Sequence, residues 1–211
     1  MRMLFVSHGD GEMILLNAPP KMVHRSTVGY LGIYSSITDM RRIKMREYLL
    51  LLPIIFIFHD MEEIIGFGWF FRNNPEIFKR FPVITKAYKD YTTAGMALAV
   101  YEEFIPFFGV SLMAYYFEND VLYTLWFGLL FSLTTHFVVH IGQSIYIKKY
   151  IPSLITSIIC LPITVIVLIK SSQHIVFNLS TILLIVASIL LMIVNLKFAH
   201  WLMHKFGKQL G

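Results

Sequence analysis

Cysteine and charge are scarce in this 211-residue chain. Its single cysteine, Cys160, lies in an apolar run, so no intrachain disulfide and no cluster of thiolate ligands can form. Charged residues make up 15% of the chain and hydrophobic residues 56%, whereas soluble domains average about 25% charged. A soluble core of this size does not need several charge-free runs of about 20 residues. The composition therefore predicts an all-α integral membrane protein.

A basic net charge does not indicate a nucleic-acid partner here. The formal charge is +5, but the lysines and arginines stand at the ends of apolar segments and form no patch with interleaved aromatics. Positive charge in those places is a topology signal at a membrane face. We therefore expect the lipid bilayer as the partner and exclude nucleic acid.

Residues 1–45 differ from the rest of the chain. They combine turn residues and scattered charge without a sustained period, and they contain no apolar run of the length that a signal peptide needs. Met40 and Met45 stand just before the first strong apolar run. We expect residues 1–45 to be a disordered extension, or a result of a start assigned too far upstream, and residues 46–211 to form one transmembrane helical domain.

Apolar segments long enough to cross about 30 Å of hydrocarbon follow. They predict a bundle of about five transmembrane helices, at about 48–71, 93–117, 121–147, 151–169 and 175–198. The 72–92 segment mixes bulky apolar and basic residues, which predicts a short amphipathic helix at the interface. Counting Lys and Arg near the span ends gives nine on one side and five on the other. That ratio favours a cell-membrane protein with its C-terminus in the cytoplasm.

The first span carries the sequence FIFHDMEEIIGFG at residues 56–68. An acidic side chain at the centre of a membrane helix costs about 2.5–3.5 kcal/mol on insertion scales, so its three acids must be protonated, paired, hydrated or bound to a cation. Helical spacing places His59, Glu62 and Glu63 on one face. Gly66 continues that face and would let a neighbouring helix come close. Asp60 points elsewhere and is expected to pair with a basic or hydroxyl group.

The second span contains two adjacent carboxylates, Glu102 and Glu103, near its centre. Gly95 and Gly109 lie seven residues before and after Glu102, and this stripe predicts that Glu102 faces a tightly packed interior. Glu103 is 100° away around the helix and is the alternative inward residue, or both contribute.

Histidines provide the polar groups of the third span. His136 and His140 are four residues apart, a spacing that directs two imidazoles at one ion from a single helix face. Ser132 and Gln143 extend the same stripe. A second pair at this spacing, His200 and His204, ends the fifth span beside aromatic and basic residues, which favours interfacial anchoring.

The central residues of three spans together predict an intramembrane site. Nitrogen and oxygen donors of this mix suit Zn²⁺, Fe²⁺ or Mn²⁺, and a divalent ion would offset the carboxylate charge. The predicted metal ligands are His59, Glu63, Glu102, Glu103, His136 and His140, with Zn or Fe as the expected ion. Two alternatives use the same residues: a buried hydrogen-bonded His–Glu network that sets helix register, and a relay for protons or ions.

Two blocks of sequence resemble a known family. HDMEE at 59–63 resembles the motif of the HXXEE-domain family of small bacterial multi-pass membrane proteins. HFVVHIGQSIYIKKYIPSLITSIICLP at 136–162 is similar to that family's second block, and His140, Tyr150, Pro152 and Thr156 occupy matching positions. Ser153 stands where glycine is expected, which is a departure from the family's pattern at the turn into the fourth span. The resemblance supports the location of the site and implies no reaction.

The first functional hypothesis is a membrane metalloenzyme. Glu62, between two helix-1 ligands, would act as general base on a metal-bound water in a hydrolase; two bridged ions would instead suit a di-iron oxidase. The substrate would be a lipid-soluble or small molecule. The second hypothesis is a non-enzymatic cation or proton transporter or regulator, for which Pro106 and Pro162 are the hints of discontinuous helices.

Overall fold

The computed structural model describes residues 45–210, which are almost entirely helical and contain no strand. Residues 45–49 form a helical turn, and five long helices follow. These are α1 (Leu51–Asn73), α2 (Thr93–Phe117), α3 (Asp120–Ile147), α4 (Leu154–Ser172) and α5 (Leu179–Leu210). The predicted all-α fold is confirmed. Apart from Met45, the predicted extension at residues 1–45 lies outside the described residues, so that expectation stays a prediction.

Four of the helices, α2 to α5, are long and apolar enough to cross a membrane. Helix α1 has 23 residues, which is about 35 Å at 1.5 Å per residue and long enough to cross a membrane. Its three carboxylates make it too polar to be counted among the apolar spans. Large apolar side chains remain exposed along the helices, for example Ile105, Ile166 and Leu190. An outward face of this kind fits hydrocarbon better than water.

The segment between α1 and α2 does not form the single amphipathic helix predicted for it. It consists of two four-residue helical pieces, Ile77–Arg80 and Pro82–Thr85, and a 3₁₀ turn at Lys86–Tyr88. The break falls at Phe81, whose backbone leaves the helical region (φ −130°, ψ 58°) because it precedes a proline. Its position at the interface stays a prediction.

Helix α3 packs against both α4 and α5, while α2 packs against α1 and α5. Trp126 of α3 is fully buried, and its indole N–H donates to the carbonyl of Leu49 at 2.9 Å. At Gly128 a Cβ atom would lie 2.6 Å from Cβ of Ser188, so the missing side chain lets α5 approach α3. Cys160 is buried in α4, as expected for a small apolar side chain.

The turn into α4 adopts the backbone for which glycine is preferred, although a serine occupies the position. Ser153 has φ 96° and is completely buried, a conformation that is costly for a residue with a Cβ. The preceding loop is held to the segment that follows α1, where Lys149 Nζ donates to Glu76, just before the helical piece Ile77–Arg80, at 2.6 Å. That contact lowers the pKa of the Glu76 carboxyl.

Gly66 provides the close approach that was expected of it, although its neighbour is the loop before α4 and not another helix. A Cβ on Gly66 would lie 2.6 Å from Cβ and 2.9 Å from Cγ of Pro152. We expect Gly66→Ala to destabilise the protein by about 1–3 kcal/mol through overpacking. Thermal unfolding in detergent micelles measures this change.

Gly142→Ala is the matched control, because nothing lies within 4 Å of a Cβ built at that exposed position in α3. Alanine there should be neutral or stabilising by up to about 1 kcal/mol, since glycine is the poorer helix former. Equal unfolding temperatures for the two variants would contradict the close contact between Gly66 and Pro152.

Candidate metal centre

Four side chains from α1 and α3 converge inside the bundle. His59 and Glu63, one turn apart on α1, are both buried, and His136 and His140 face them from α3. His140 Nε2 lies 2.7 Å from His136 Nε2 and 3.0 Å from Glu63 Oε1, and His59 Nε2 lies 3.7 Å from the same Glu63 oxygen. Each of the four residues offers a ligand atom within 4.8 Å of the others.

Two atoms at the centre of this group are not satisfied by hydrogen bonds, whereas Nε2 of His136 and Nε2 of His140 bond to each other. His59 Nε2 and Glu63 Oε1 are buried and lack a hydrogen-bond partner among the described residues; the 3.0 Å contact between Glu63 and His140 is an ion-pair contact. A buried polar atom without a partner costs about 1–3 kcal/mol. A shared cation would remove that cost, because each of these atoms presents a lone pair.

The spacing of the donors fits one transition-metal ion. Nitrogen and oxygen ligands bind Zn²⁺ at about 2.0–2.2 Å, so two ligands of one ion lie at most about 4.4 Å apart. The separations of 2.7, 3.0 and 3.7 Å fall within this limit, whereas the bound that holds for all pairs of the four is 4.8 Å, about 0.4 Å beyond it. Three imidazoles and one carboxylate form a donor set that suits Zn²⁺ or Fe²⁺.

Glu62 of α1 lies beside this group but is held by the beginning of α4. Its Oε1 accepts from the Tyr150 hydroxyl at 2.6 Å, and its Oε2 accepts from the backbone N–H and the hydroxyl of Thr156 at 2.7 and 2.6 Å. Since Ser153 makes no side-chain cap to α4, Glu62 caps that helix from outside. The predicted catalytic role of Glu62 stays a prediction.

Tyr150 lies in the loop between α3 and α4, and its hydroxyl is the donor to Glu62 Oε1. This contact depends on whether the phenol keeps its proton. Burial and the hydrogen bond to Glu62 raise the pKa of the phenol. The hydroxyl therefore keeps its proton at physiological pH and remains a donor to the carboxylate.

The two carboxylates of α2 point in different directions. Glu102 accepts a hydrogen bond from Asn195 Nδ2 of α5 at 2.7 Å, whereas Glu103 is buried. Neither belongs to the group of four. The tightly packed interior predicted along the Glu102 stripe is wrong at Gly109, where a Cβ would meet nothing within 4 Å.

Asp60 meets a basic group of its own helix, the His59 ring, only at the outer limit of an ion pair. It is buried, its Oδ1 lies 4.0 Å from His59 Nε2, and its Oδ2 lacks a hydrogen-bond partner among the described residues. The physical reason for this burial is that α1 packs against α2 as well as facing α3 and α4. The helix face that carries Asp60 is therefore also enclosed.

The second histidine pair lies apart from the centre. His204 Nδ1 is 3.5 Å from Asp90, and the ring of His200 is 6.0 Å from that of Tyr88, between centroids. Lys205 Nζ lies 4.6 Å from the ring of Trp201. These contacts lie in the C-terminal part of α5, which continues to Leu210, and interfacial anchoring stays a prediction.

A comparison with protein-family models identifies the chain. Residues 50–167 match the model described as "Protein of unknown function with HXXEE motif". The chain belongs to the HXXEE family. The matched range runs from α1 into α4, so it contains the four converging side chains together with Glu62 and Thr156, and it confirms the resemblance on residues 59–63. No curated protein and no solved structure matches the chain.

The relation between Glu62 and Thr156 was not predicted from the helix faces. Thr156 was named only as part of the second family block, and the two residues are 94 positions apart. The feature of the sequence that pointed to this relation was the occurrence of both family blocks, at 59–63 and 136–162, in one chain.

Proposed function

We propose that this HXXEE protein binds one divalent transition-metal ion, Zn²⁺ or Fe²⁺, through His59, Glu63, His136 and His140. We further propose that it uses the ion as a membrane enzyme of the hydrolytic type. The observation that carries the proposal is that two buried ligand atoms, His59 Nε2 and Glu63 Oε1, lack hydrogen-bond partners among the described residues. Both belong to the group that also contains His136 and His140. A purely structural network would be expected to satisfy these atoms internally.

A bound divalent ion supplies Lewis acidity and lowers the pKa of a coordinated water. The chain would supply four ligands, so that a coordinated water would make the ion five-coordinate, and it carries neighbouring carboxylates able to accept a proton. Asp60 is the better placed of these, because its Oδ2 is unengaged and its Oδ1 is 4.0 Å from His59 Nε2. Glu62, predicted as the general base, is occupied by its donors on α4 and in the preceding loop.

The transporter hypothesis receives less support. Pro106 lies within α2 and Pro162 within α4, and both helices continue through them. Transporter sites are typically built from discontinuous helices whose unwound ends meet the substrate. The described parts of α2 and α4 have no such interruption.

The surroundings of the centre indicate the type of substrate and location that we propose. The four ligand residues lie far from either end of α1 and α3, inside helices with apolar outward faces. A small or lipid-soluble molecule is the kind of substrate that reaches such a site. We propose the cell membrane as the location, with the C-terminus in the cytoplasm as the positive charges indicate.

Elemental analysis of the purified protein tests metal binding. We expect about one Zn or Fe per wild-type chain and almost none in His59→Ala or His140→Ala, because each substitution removes one of the four ligands. His204→Ala is the control, since His204 lies outside the group and should leave the metal content unchanged. Wild-type protein that contains no metal and takes up none from Zn²⁺ or Fe²⁺ solutions would refute the proposal.

A further inference from the structure

We propose that Thr156 and Glu62 are positioning residues that hold the His59 ring with its Nε2 lone pair directed at the metal centre. The inference rests on the proposed metal site and assigns a role to two residues outside the ligand group. Three side chains from two helices form the connection, in the order His59, Thr156, Glu62.

The connection is built from short contacts. His59 Nδ1 lies 3.0 Å from Thr156 Oγ1, and this hydroxyl lies 2.6 Å from Glu62 Oε2. His59 is completely buried, and its ring also packs edge-on against Phe137, with 4.7 Å between centroids. The ring is therefore held at one nitrogen by the hydroxyl and on one side by an aromatic ring.

The direction of the hydrogen bonds follows from the number of protons. A threonine hydroxyl has a single proton, and the carboxylate is the stronger acceptor at the shorter distance. Thr156 therefore donates to Glu62 and accepts from His59, so that Nδ1 of His59 carries the ring proton. Nε2 is then the nitrogen with the lone pair, and it is the one that faces Glu63 at 3.7 Å.

Glu62 is well suited to end this connection. Tyr150 and the backbone N–H groups of Ile155 and Thr156 also donate to its carboxylate, so the charge is placed against the N-terminus of α4, where a negative charge is favourable. The carboxylate cannot turn away without losing these bonds. Partners of this kind, beyond the ligands themselves, orient metal-binding histidines, and their loss typically lowers metal affinity 10–100-fold.

The test compares Thr156→Val, which keeps the shape and removes the hydroxyl, with Thr156→Ser, which keeps the hydroxyl. Zn²⁺ affinity of the full chain in detergent micelles is measured by competition with a chelator. We expect Thr156→Val to bind Zn²⁺ about 10–100-fold more weakly and Thr156→Ser to bind it nearly as the wild type does. Equal affinity of the wild type and the valine variant would overturn the inference and leave the metal site intact.

A second readout does not depend on the metal. Nitrogen NMR of ¹⁵N-histidine-labelled, metal-free wild type, with the His59 signals assigned by their loss in His59→Ala, reports which ring nitrogen carries the proton. A proton on Nδ1 that is lost in Thr156→Val supports the inference, even if the wild type binds no Zn²⁺ and the proposed function fails. A proton on Nε2 in the wild type overturns it, whether or not the valine variant folds.

Discussion

Glu63→Gln is expected to weaken metal binding at least about 100-fold, which corresponds to about 2.7 kcal/mol. Glu63 is the only anionic member of the group of four, and its Oε1 is the atom that lies near both His59 and His140. An amide of nearly the same shape keeps the packing but removes the negative charge that attracts a divalent cation. Competition titration of the purified variant with Zn²⁺ measures the loss.

Glu102→Gln is the matched control for that substitution. It makes the same chemical change in a neighbouring helix, where the carboxylate contacts Asn195 and not the centre. We expect wild-type affinity in this variant. Equal losses in Glu102→Gln and Glu63→Gln would show that the titration reports a general effect of removing buried charge, and would contradict the assignment of Glu63.

Removal of the metal is expected to lower the unfolding temperature of the wild type by roughly 8–16 °C. A ligand present at 1,000 times its dissociation constant stabilises the folded state by about 4.1 kcal/mol, and 1 kcal/mol shifts the midpoint by about 2–4 °C in a protein of this size. The proposed metal would link α1 to α3, which otherwise make few direct contacts. Thermal unfolding with and without a strong chelator measures the shift.

The same experiment on Glu63→Gln provides the control. With affinity at least about 100-fold weaker, this variant meets the same metal at no more than about 10 times its dissociation constant, which stabilises it by about 1.4 kcal/mol or less. Its unfolding temperature should therefore change by roughly 3–6 °C or less on addition of the chelator. If the chelator shifts the wild type and this variant equally, it acts elsewhere on the protein, and the linkage between this site and stability is refuted.

Helical periodicity was enough to predict the centre of the site. His59 with Glu63, and His136 with His140, are each separated by four residues, and that spacing places both members on one face whatever surrounds the helix. The length and apolar character of the segments likewise predicted α1 to α4 at nearly the observed bounds, whereas α5 continues to Leu210, well beyond the predicted end at about 198. Predictions of this kind depend only on local geometry.

Periodicity within one helix did not show which carboxylates face the interior; the positions of the neighbouring helices determine this. Glu102 and Glu103 are adjacent on α2, so only the positions of α1 and α5 show that Glu103 faces the interior and Glu102 meets Asn195. Asp60 is buried because α2 covers its face of α1. Contacts between residues so far apart in sequence cannot be obtained from the spacing within one helix.

The predicted role of Glu62 as a general base also depends on contacts that the spacing within α1 does not show. Its place between two ligands on α1 suggested a free general base, yet donors 88 to 94 residues further along the chain occupy its carboxylate. The turn that brings those donors to Glu62 passes through Ser153 in a left-handed backbone conformation, at a position where glycine was expected. The sequence of α1 alone contains no sign of this arrangement.

X-ray absorption at the edge of the metal retained by the purified wild type tests the central claim most directly. Ligation by His59, Glu63, His136 and His140 predicts a first shell of nitrogen and oxygen at about 2.0–2.2 Å, with the outer-shell scattering of about three imidazoles. A first shell that contains sulfur, or one without imidazole scattering, would contradict a metal centre built from these four residues.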